Sequence, residues 1–336
     1  VAALRLQQQG FDVVGVFIKV WHPDWLECNW EQERLDAMRV AAHLDIPFLT
    51  CDAAIAYKQG VADYFIAEYQ AGRTPNPDVM CNQQVKFGHF LDFAQAHGAS
   101  SIATGHYAQR RTNEDREELW RGSDTNKDQS YFLWTLTQTQ LAASLFPIGD
   151  TPKDQIRTEA ANAGLPVAAK KDSQGVCFLG HIDIPEFLSH YTELTPGAVL
   201  DTNGATIGEH RGALVYTIGQ RHGFAITTPN AASTPHYVVA RDLTANTITV
   251  SPEPPQSGVG THVRLNECNW IPAIPELGLT LTAQFRYRQH PVPIRLRHIT
   301  DTTATLTLQD TADPPVAGQS CVLYEGMRCV GGGIIE

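Results

Sequence analysis

The sequence predicts a three-part chain: an α/β domain on a parallel sheet with helices on both faces, a small β-rich connector, and a C-terminal β-barrel. Three observations predict it. β-Branched runs alternate with amphipathic helical runs through the first half, as in a parallel sheet. Helical periodicity fades near Ser189 and gives way to short alternating runs. From Thr261 to Glu336 the pattern is strand-like throughout. The expected domains are 1–188, 189–253 and 254–336, with the Pro- and Gly-rich stretch 252–260 as a linker.

Residues 1–9 read as a helix stopped by Gly10. Residues 11–20 are largely apolar and β-branched, a strand expected to be buried on both faces. After an aromatic, acidic loop at 21–30, residues 32–44 read as a helix with Leu35, Met38, Ala41, Ala42 and Leu44 near one face. A short strand follows at 46–50, then a helix at 61–69 ended by Gly72. Residues 85–96 are helical again and 101–107, SIATGHY, form another strand. Gly105 and His106 end that strand, where ligands of parallel sheets lie. By itself His106 reads as a satisfied surface histidine.

Residues 110–120 resemble an exposed hairpin tip. In the polar run 121–131, Lys127, Asp128 and Gln129 lead into a helix beginning near Ser130, for which Asp128 is a candidate cap. A helix at 151–163 has Pro152 in its first turn and Gly164 as its stop. In the β-rich part, Asn203-Gly204 and Arg241-Asp242 are the turn signals.

The stretch 71–87, AGRTPNPDVMCNQQVKF, organises the rest. Two prolines resist helix, Asp78 follows, and Cys81 opens an apolar-periodic segment. A cysteine in a first helical turn sits near unpaired N–H groups and the positive end of the dipole, which favours thiolate. The same cysteine could be a small buried hydrophobe. A second stretch, KKDSQGVCFLG at 170–180, places Cys177 beside a turn-forming run. Two cysteines beside loops can form a transient disulfide or pass sulfur between them.

Bulk properties narrow the classes. A net charge of −11 argues against indiscriminate nucleic-acid binding. It leaves room for a local basic face, and 284–300 holds Arg286, Arg288, Arg295 and Arg297 with no acid among them. From that segment alone a solvated strand surface is the reading. Seven cysteines without a C-x-x-C pair argue against a secreted disulfide framework and a structural zinc site, and for a reducing cytoplasm. No apolar run is long enough to cross a bilayer, and no signal peptide opens the chain.

Eight motifs run in one order from end to end: AGRTPNPDVMCN at 71–82, ATGHY at 103–107, SDTNKDQSYFL at 123–133, KKDSQGVCFLG at 170–180, IGEHRG at 207–212, YTIGQRHG at 216–223, RYRQ at 286–289 and GQSCVLYEG at 318–326. On these the whole chain resembles the tRNA-specific 2-thiouridylase family, ATP-dependent sulfurtransferases that modify the wobble uridine. The resemblance implies an adenine nucleotide alpha-hydrolase-like first domain that uses ATP with Mg2+. It implies two partners, tRNA and a sulfur-donor protein that delivers persulfide sulfur, and no membrane. Cys177 would carry the persulfide, Cys81 would be the nucleophile that helps release its sulfur, and Asp78 the general acid/base. A Cys81–Cys177 disulfide would remain to be reduced. Asn76, Pro77 and Asp78 would contact the flipped base, because carbon 2 of a stacked uridine is out of reach. Ile18 and Gly105 would line the nucleotide site. His106, Lys127, Asp128, Gln129, Arg286, Tyr287 and Gln319 would contact tRNA, and no metal ligands are assigned. The family's SGGVDSS phosphate loop would fall just before Val1. On that expectation the alternatives are a tRNA-binding remnant without ATP turnover, or another adenylating enzyme of the same fold. Paired cysteines argue against amine-transfer chemistry.

Overall fold

The computed structural model describes residues 1–26, 30–170, 183–228 and 234–336. Cys28, Cys177 and all of the 170–180 motif beyond Lys170 lie outside the described residues.

The first part contains two parallel strand pairs. Strand β1 (Gly15–Lys19) runs beside β2 (Phe48–Asp52), with Ile18 opposite Cys51. Strand β3 (Ile102–Ala103) runs beside β6 (Ser144–Leu145). Parallel pairing with helical crossovers is what the alternating pattern required, but the strands are shorter than expected. Strand β1 is half-buried along its whole length rather than buried on both faces, and β2 is its one partner among the described residues. The helix Trp30–His43 buries Ala41, whereas Leu35 and Met38 on its expected apolar face are exposed.

Two long helical rods carry the site. The first runs continuously over 54–70 as Ala54–Tyr57, a wide turn Lys58–Ala62, and Asp63–Gln70. The second runs over 77–96 as Pro77–Met80, a wide-turned stretch Cys81–His89, and Phe90–Ala96. Both begin well before the helices expected at 61–69 and 85–96. The rods touch at Gly60, where an added Cβ would come within 2.9 Å of the Gln84 Cβ. A glycine that looks like a helix breaker is thus the point of close approach.

The 110–120 hairpin is exposed only at its tip. Strands β4 (Ala108–Asn113) and β5 (Arg116–Arg121) turn through Glu114 and Asp115, both at positive φ. At the base, Leu119 is fully buried and Trp120 pairs with Arg328 of the barrel. Its alternating polar residues hide this, because the pairing partner lies two hundred residues away in sequence. The helix expected from Ser130 is a single tight turn, Ser130–Leu133, and the buried Trp134 and Leu136 follow directly. The expected 151–163 helix is Lys153–Asn162, capped by Pro152.

The connector is a five-stranded sheet. Strands β7 (Gly197–Leu200), β8 (Thr206–His210), β9 (Phe224–Ile226), β10 (Tyr237–Asp242) and β11 (Thr247–Ser251) lie in the order β10-β11-β7-β8-β9. The Asn203-Gly204 turn is present, with Gly204 at φ 84° and Asp201 accepting from the amides of Asn203 and Ala205. Arg241 belongs to β10 rather than to a turn, which starts at Asp242.

The last part is the expected barrel. Strands β12 (His262–Trp270), β13 (Leu281–Gln284), β14 (Val292–Ile299), β15 (Ala304–Leu308), β16 (Ser320–Glu325) and β17 (Arg328–Ile335) follow the order β12-β15-β14-β13-β16-β17. Pairing of β12 with β17 closes the ring. The β4–β5 hairpin extends the same sheet outward from β17. Val292, Ile294 and Leu296 point into a barrel core of their own, while Arg295 and Arg297 point out.

Candidate active site

The segment before Cys81 is held from two sides, by the barrel and by the connector. The Thr74 amide donates to the Ala317 carbonyl at 2.9 Å, and Gln319 Nε2 donates to the carbonyls of Thr74 (2.8 Å) and Pro75 (3.1 Å). From the connector, Arg241 donates to the Gly72 carbonyl, and the Thr74 and Thr217 hydroxyls meet at 3.0 Å. Gly318 makes the approach possible: it sits at φ 89°, and a Cβ there would lie 2.9 Å from the Thr74 carbonyl oxygen. Barrel, connector and α/β domain therefore converge on residues 72–75.

Asn76 then caps the helix, its Oδ1 accepting from the Val79 amide at 3.4 Å, and Pro77 occupies the first helical position. Asp78 follows at the second position. Burial pushes its carboxyl above the ordinary value, opposed by the Lys86 ammonium. Cys81 is buried and lies past the first turn, where the backbone N–H already returns to the Pro77 carbonyl. The expectation of open N–H groups around Cys81 is therefore corrected: the helix starts at Pro77, and the dipole field falls off within its first turn.

Asn82, beside Cys81, is 2% exposed; its Nδ2 donates to the Phe132 carbonyl at 3.3 Å, and its Oδ1 has no partner among the described residues. Asp78, Asn82 and Lys86 are spaced four residues apart along one rod. The sequence reading passed over Asn82 and Lys86, although that spacing from Asp78 was the available signal.

His106 is buried rather than a surface residue. Its Nδ1 lies 2.8 Å from the Thr104 hydroxyl and its ring packs on Phe87 and Phe146. Burial, with the nearby Lys86 charge, holds its pKa well below the ordinary histidine value, so the imidazole is neutral at pH 7. Gly105 is exposed, and a Cβ there would meet only Ile148 Cδ1 at 3.9 Å. Ile18 and Gly105 lie at or near the carboxyl ends of β1 and β3, the side on which parallel sheets take nucleotides. Open space at Gly105 and the unpartnered Asn82 Oδ1 fit a bound polar ligand. Among the described residues no cluster of His, Cys, Asp and Glu is arranged to hold a metal ion.

The remaining predicted contacts fall on two loops. In the first, the Lys127 amide bonds the Asp124 carbonyl, and Gln129 exchanges two bonds with Tyr107, one of them from the Tyr107 amide to Gln129 Oε1 at 3.0 Å. Asp128 organises this loop. Its Oδ1 accepts from the amides of Gly122 and Ser130, both at 3.0 Å, and its Oδ2 accepts from the Ser130 hydroxyl and from Arg121. In the second loop, Tyr287 packs on Phe132 with ring centres 4.4 Å apart. Burial raises its hydroxyl pKa, opposed by the neighbouring Arg288 guanidinium. Arg286 turns inward, donating to the Ile218 carbonyl at 2.6 Å, while Arg288 is exposed beside the Tyr287 ring. The structure thus brings Asn76, Asp78, Cys81, Phe132 and Tyr287 together, and it places Asp128 and Gln319 in internal scaffolding. Cys177 lies outside the described residues.

Comparisons with known proteins agree with this three-part build. The family model described as the tRNA methyl transferase HUP domain matches residues 1–181. Those described as the tRNA methyl transferase PRC-barrel domain and the aminomethyltransferase beta-barrel domain match 185–252 and 260–335. A tRNA-specific 2-thiouridylase MnmA of Enterococcus faecalis is 42% identical over 343 residues, covering 100% of this chain and 91% of that protein. Proteins of the same name from Xanthomonas oryzae pv. oryzae and Stenotrophomonas maltophilia are each 44% identical, covering 100% of this chain and 90% of theirs. The HUP-type α/β domain, the connector and the closed barrel are the parts those matches describe, in the same order, and the chain belongs to the tRNA-specific 2-thiouridylase family.

Proposed function

We propose that this chain is a tRNA-uridine 2-sulfurtransferase acting at the wobble position. The geometric observation that supports it best is the clamped start of the 77–96 rod. There an acid of raised pKa lies one turn before a buried cysteine, and Asn82 beside that cysteine bonds the backbone of Phe132, whose ring packs on Tyr287 of the barrel. Uracil O2 is a poor leaving group, and ATP, carried with Mg2+, supplies the adenylate that makes it a good one. Gly105 and Ile18 would hold the nucleotide. Asn76 and Pro77 would seat the extruded base, with Tyr287 and Phe132 offering ring faces for stacking.

Asp78, protonated more readily than an ordinary carboxyl, is suited to give a proton to the base and take it back. Cys177 would carry the persulfide brought by a sulfur-donor protein. Its terminal sulfur bonds to carbon 2, AMP leaves with the former O2, and Cys81 attacks the remaining cysteine sulfur. The sulfur–sulfur electron pair stays with the thiolated base, leaving a Cys81–Cys177 disulfide for an external thiol to reduce. The surroundings would be the cytoplasm, where such a thiol is available.

The test is 2-thiouridine content of digested bulk tRNA, read by mass, after incubation with ATP, a persulfide-sulfur donor protein and an external thiol. Cys81→Ser and Cys177→Ser are each expected to abolish the product while tRNA still binds. Wild-type thiolation by either variant would end the two-cysteine mechanism.

A further inference from the structure

Arg121 has no role in the chemistry above, yet its guanidinium is fully committed. It ends β5, its side chain is 12% exposed, and it makes three different contacts at once. Nη1 donates to Asp128 Oδ2 at 2.9 Å. Nη2 donates to Gln284 Oε1 at 3.1 Å. The guanidinium plane lies over the Tyr324 ring, 3.5 Å from its centre.

Two of these contacts lead to different parts of the surface proposed to meet tRNA, and the third returns to the first. Asp128 sets the turn of the 123–133 loop, between Lys127 and Gln129. Gln284 ends β13 and donates to the Gln289 carbonyl at 2.5 Å, and Gln289 Oε1 accepts from the Phe285 amide at 2.8 Å. These bonds close the 285–289 loop that presents Arg286 and Tyr287. Tyr324 completes the ring, its hydroxyl 3.1 Å from the Ser130 hydroxyl that donates to Asp128. A buried ion pair of this kind adds little net stability over apolar residues of equal volume, since desolvation offsets the attraction. A fork with two donors and a stackable plane does fix the relative position of what it joins.

We infer that Arg121 is a positioning residue that locks the 123–133 loop of the α/β domain to the 285–289 loop of the barrel, so that Lys127, Gln129, Arg286 and Tyr287 meet tRNA as one rigid surface. This rests on the proposed reading that those two loops touch tRNA. Pre-set loops lose less entropy on binding, so loosening them weakens the encounter with tRNA and leaves the chemical step alone. Lysine keeps the charge beside Asp128 but cannot reach two acceptors and stack in one plane.

The experiment is steady-state thiolation of bulk tRNA by the full chain, with KM and kcat read separately, for Arg121→Gln, Arg121→Lys, Gln284→Leu and Arg286→Ala. Both Arg121 variants and Gln284→Leu are expected to raise the KM for tRNA roughly tenfold with kcat within about twofold of wild type. Gln284→Leu keeps the Arg121–Asp128 pair, so it tests the lock even if the Arg121 variants fold poorly. Arg121→Gln combined with Arg286→Ala is expected to be worse than Arg286→Ala alone but short of additive, since Arg286 is one of the contacts the lock positions. Rescue of KM by Arg121→Lys, or an unchanged KM in Gln284→Leu, would overturn the inference while Arg286→Ala still raised KM. An unchanged KM in Arg286→Ala would instead remove the underlying reading of the 285–289 loop.

Discussion

Asp78, proposed above as the general acid and base, costs the fold stability at neutral pH. Its carboxyl is pushed up mainly by burial, so the folded state holds its proton more tightly than the unfolded state does. Below the ordinary carboxylate range both states are protonated and the group contributes nothing. As pH rises, the unfolded chain ionises first and the fold is penalised, fully so above the folded pKa. Asp78→Asn is therefore expected to raise the unfolding temperature at pH 7 by a degree or more, with the gain vanishing near pH 4. Thiolation should be lost. Melting curves at the two pH values check this, and an equal shift at both would contradict the burial argument. His106 carries the opposite slope: held neutral in the fold, it costs stability as pH falls below about 6.5, where the unfolded imidazole takes a proton.

At the scale of elements, the site depends on how the backbone of residues 72–75 is gripped. The resemblance implies that Gln319 touches tRNA, yet its amide donates to the Thr74 and Pro75 carbonyls. Gln319→Ala is expected to speed amide hydrogen exchange over 74–79 in the absence of tRNA and to lower kcat several-fold. A change in tRNA affinity alone, with exchange untouched, would return Gln319 to the tRNA-contacting set. Gly318→Ala strains the same grip through both its positive φ and the approach to the Thr74 carbonyl. It should destabilise the fold by about 1–3 kcal/mol in chemical denaturation.

The difference between what was readable and what was not follows from range. Gly10, Gly72 and Gly164 marked helix ends correctly because a stop is a local event, and all three have positive φ. The alternation of Val292 to Arg297 agrees with the side of β14 that faces the barrel core, since the period of two is written in adjacent residues. The start of the 77–96 rod was misplaced because Pro77, which resists helix elsewhere, is favoured at a first helical position. The hairpin base at Leu119 and the tasks of Arg121 and Gln319 were not legible. Each depends on a partner from another domain, and no local pattern records that partner.

At the scale of the whole molecule, one apolar core runs through all three parts. It joins Val79, Cys81 and Val85 of the rod to Tyr216 and Val238 of the connector and to Val322, Tyr324 and Ile334 of the barrel. The barrel also keeps a second core to itself, lined by Leu296, Leu306 and Leu323. Barrel and connector are thus built into the surroundings of Cys81. The charges are divided accordingly. With a net charge of −11 the chain must attract a polyanion locally, and the outward face of β14 with Arg295 and Arg297 is suited to that task. Arg286, already bonded to the Ile218 carbonyl, is committed to geometry as well as charge. The two kinds of arginine should separate in a salt series of bulk-tRNA binding. Arg295→Ala with Arg297→Ala is expected to lower the slope of log K against log salt by about 1.4–1.8, as for two lost phosphate contacts. Arg286→Ala is expected to cost affinity at every salt concentration while shifting the slope by less than one contact. If the paired variant kept the wild-type slope, the outer face of β14 would lie off the RNA path. The tRNA would then be held by the mouth of the site alone, between Lys127 and Tyr287.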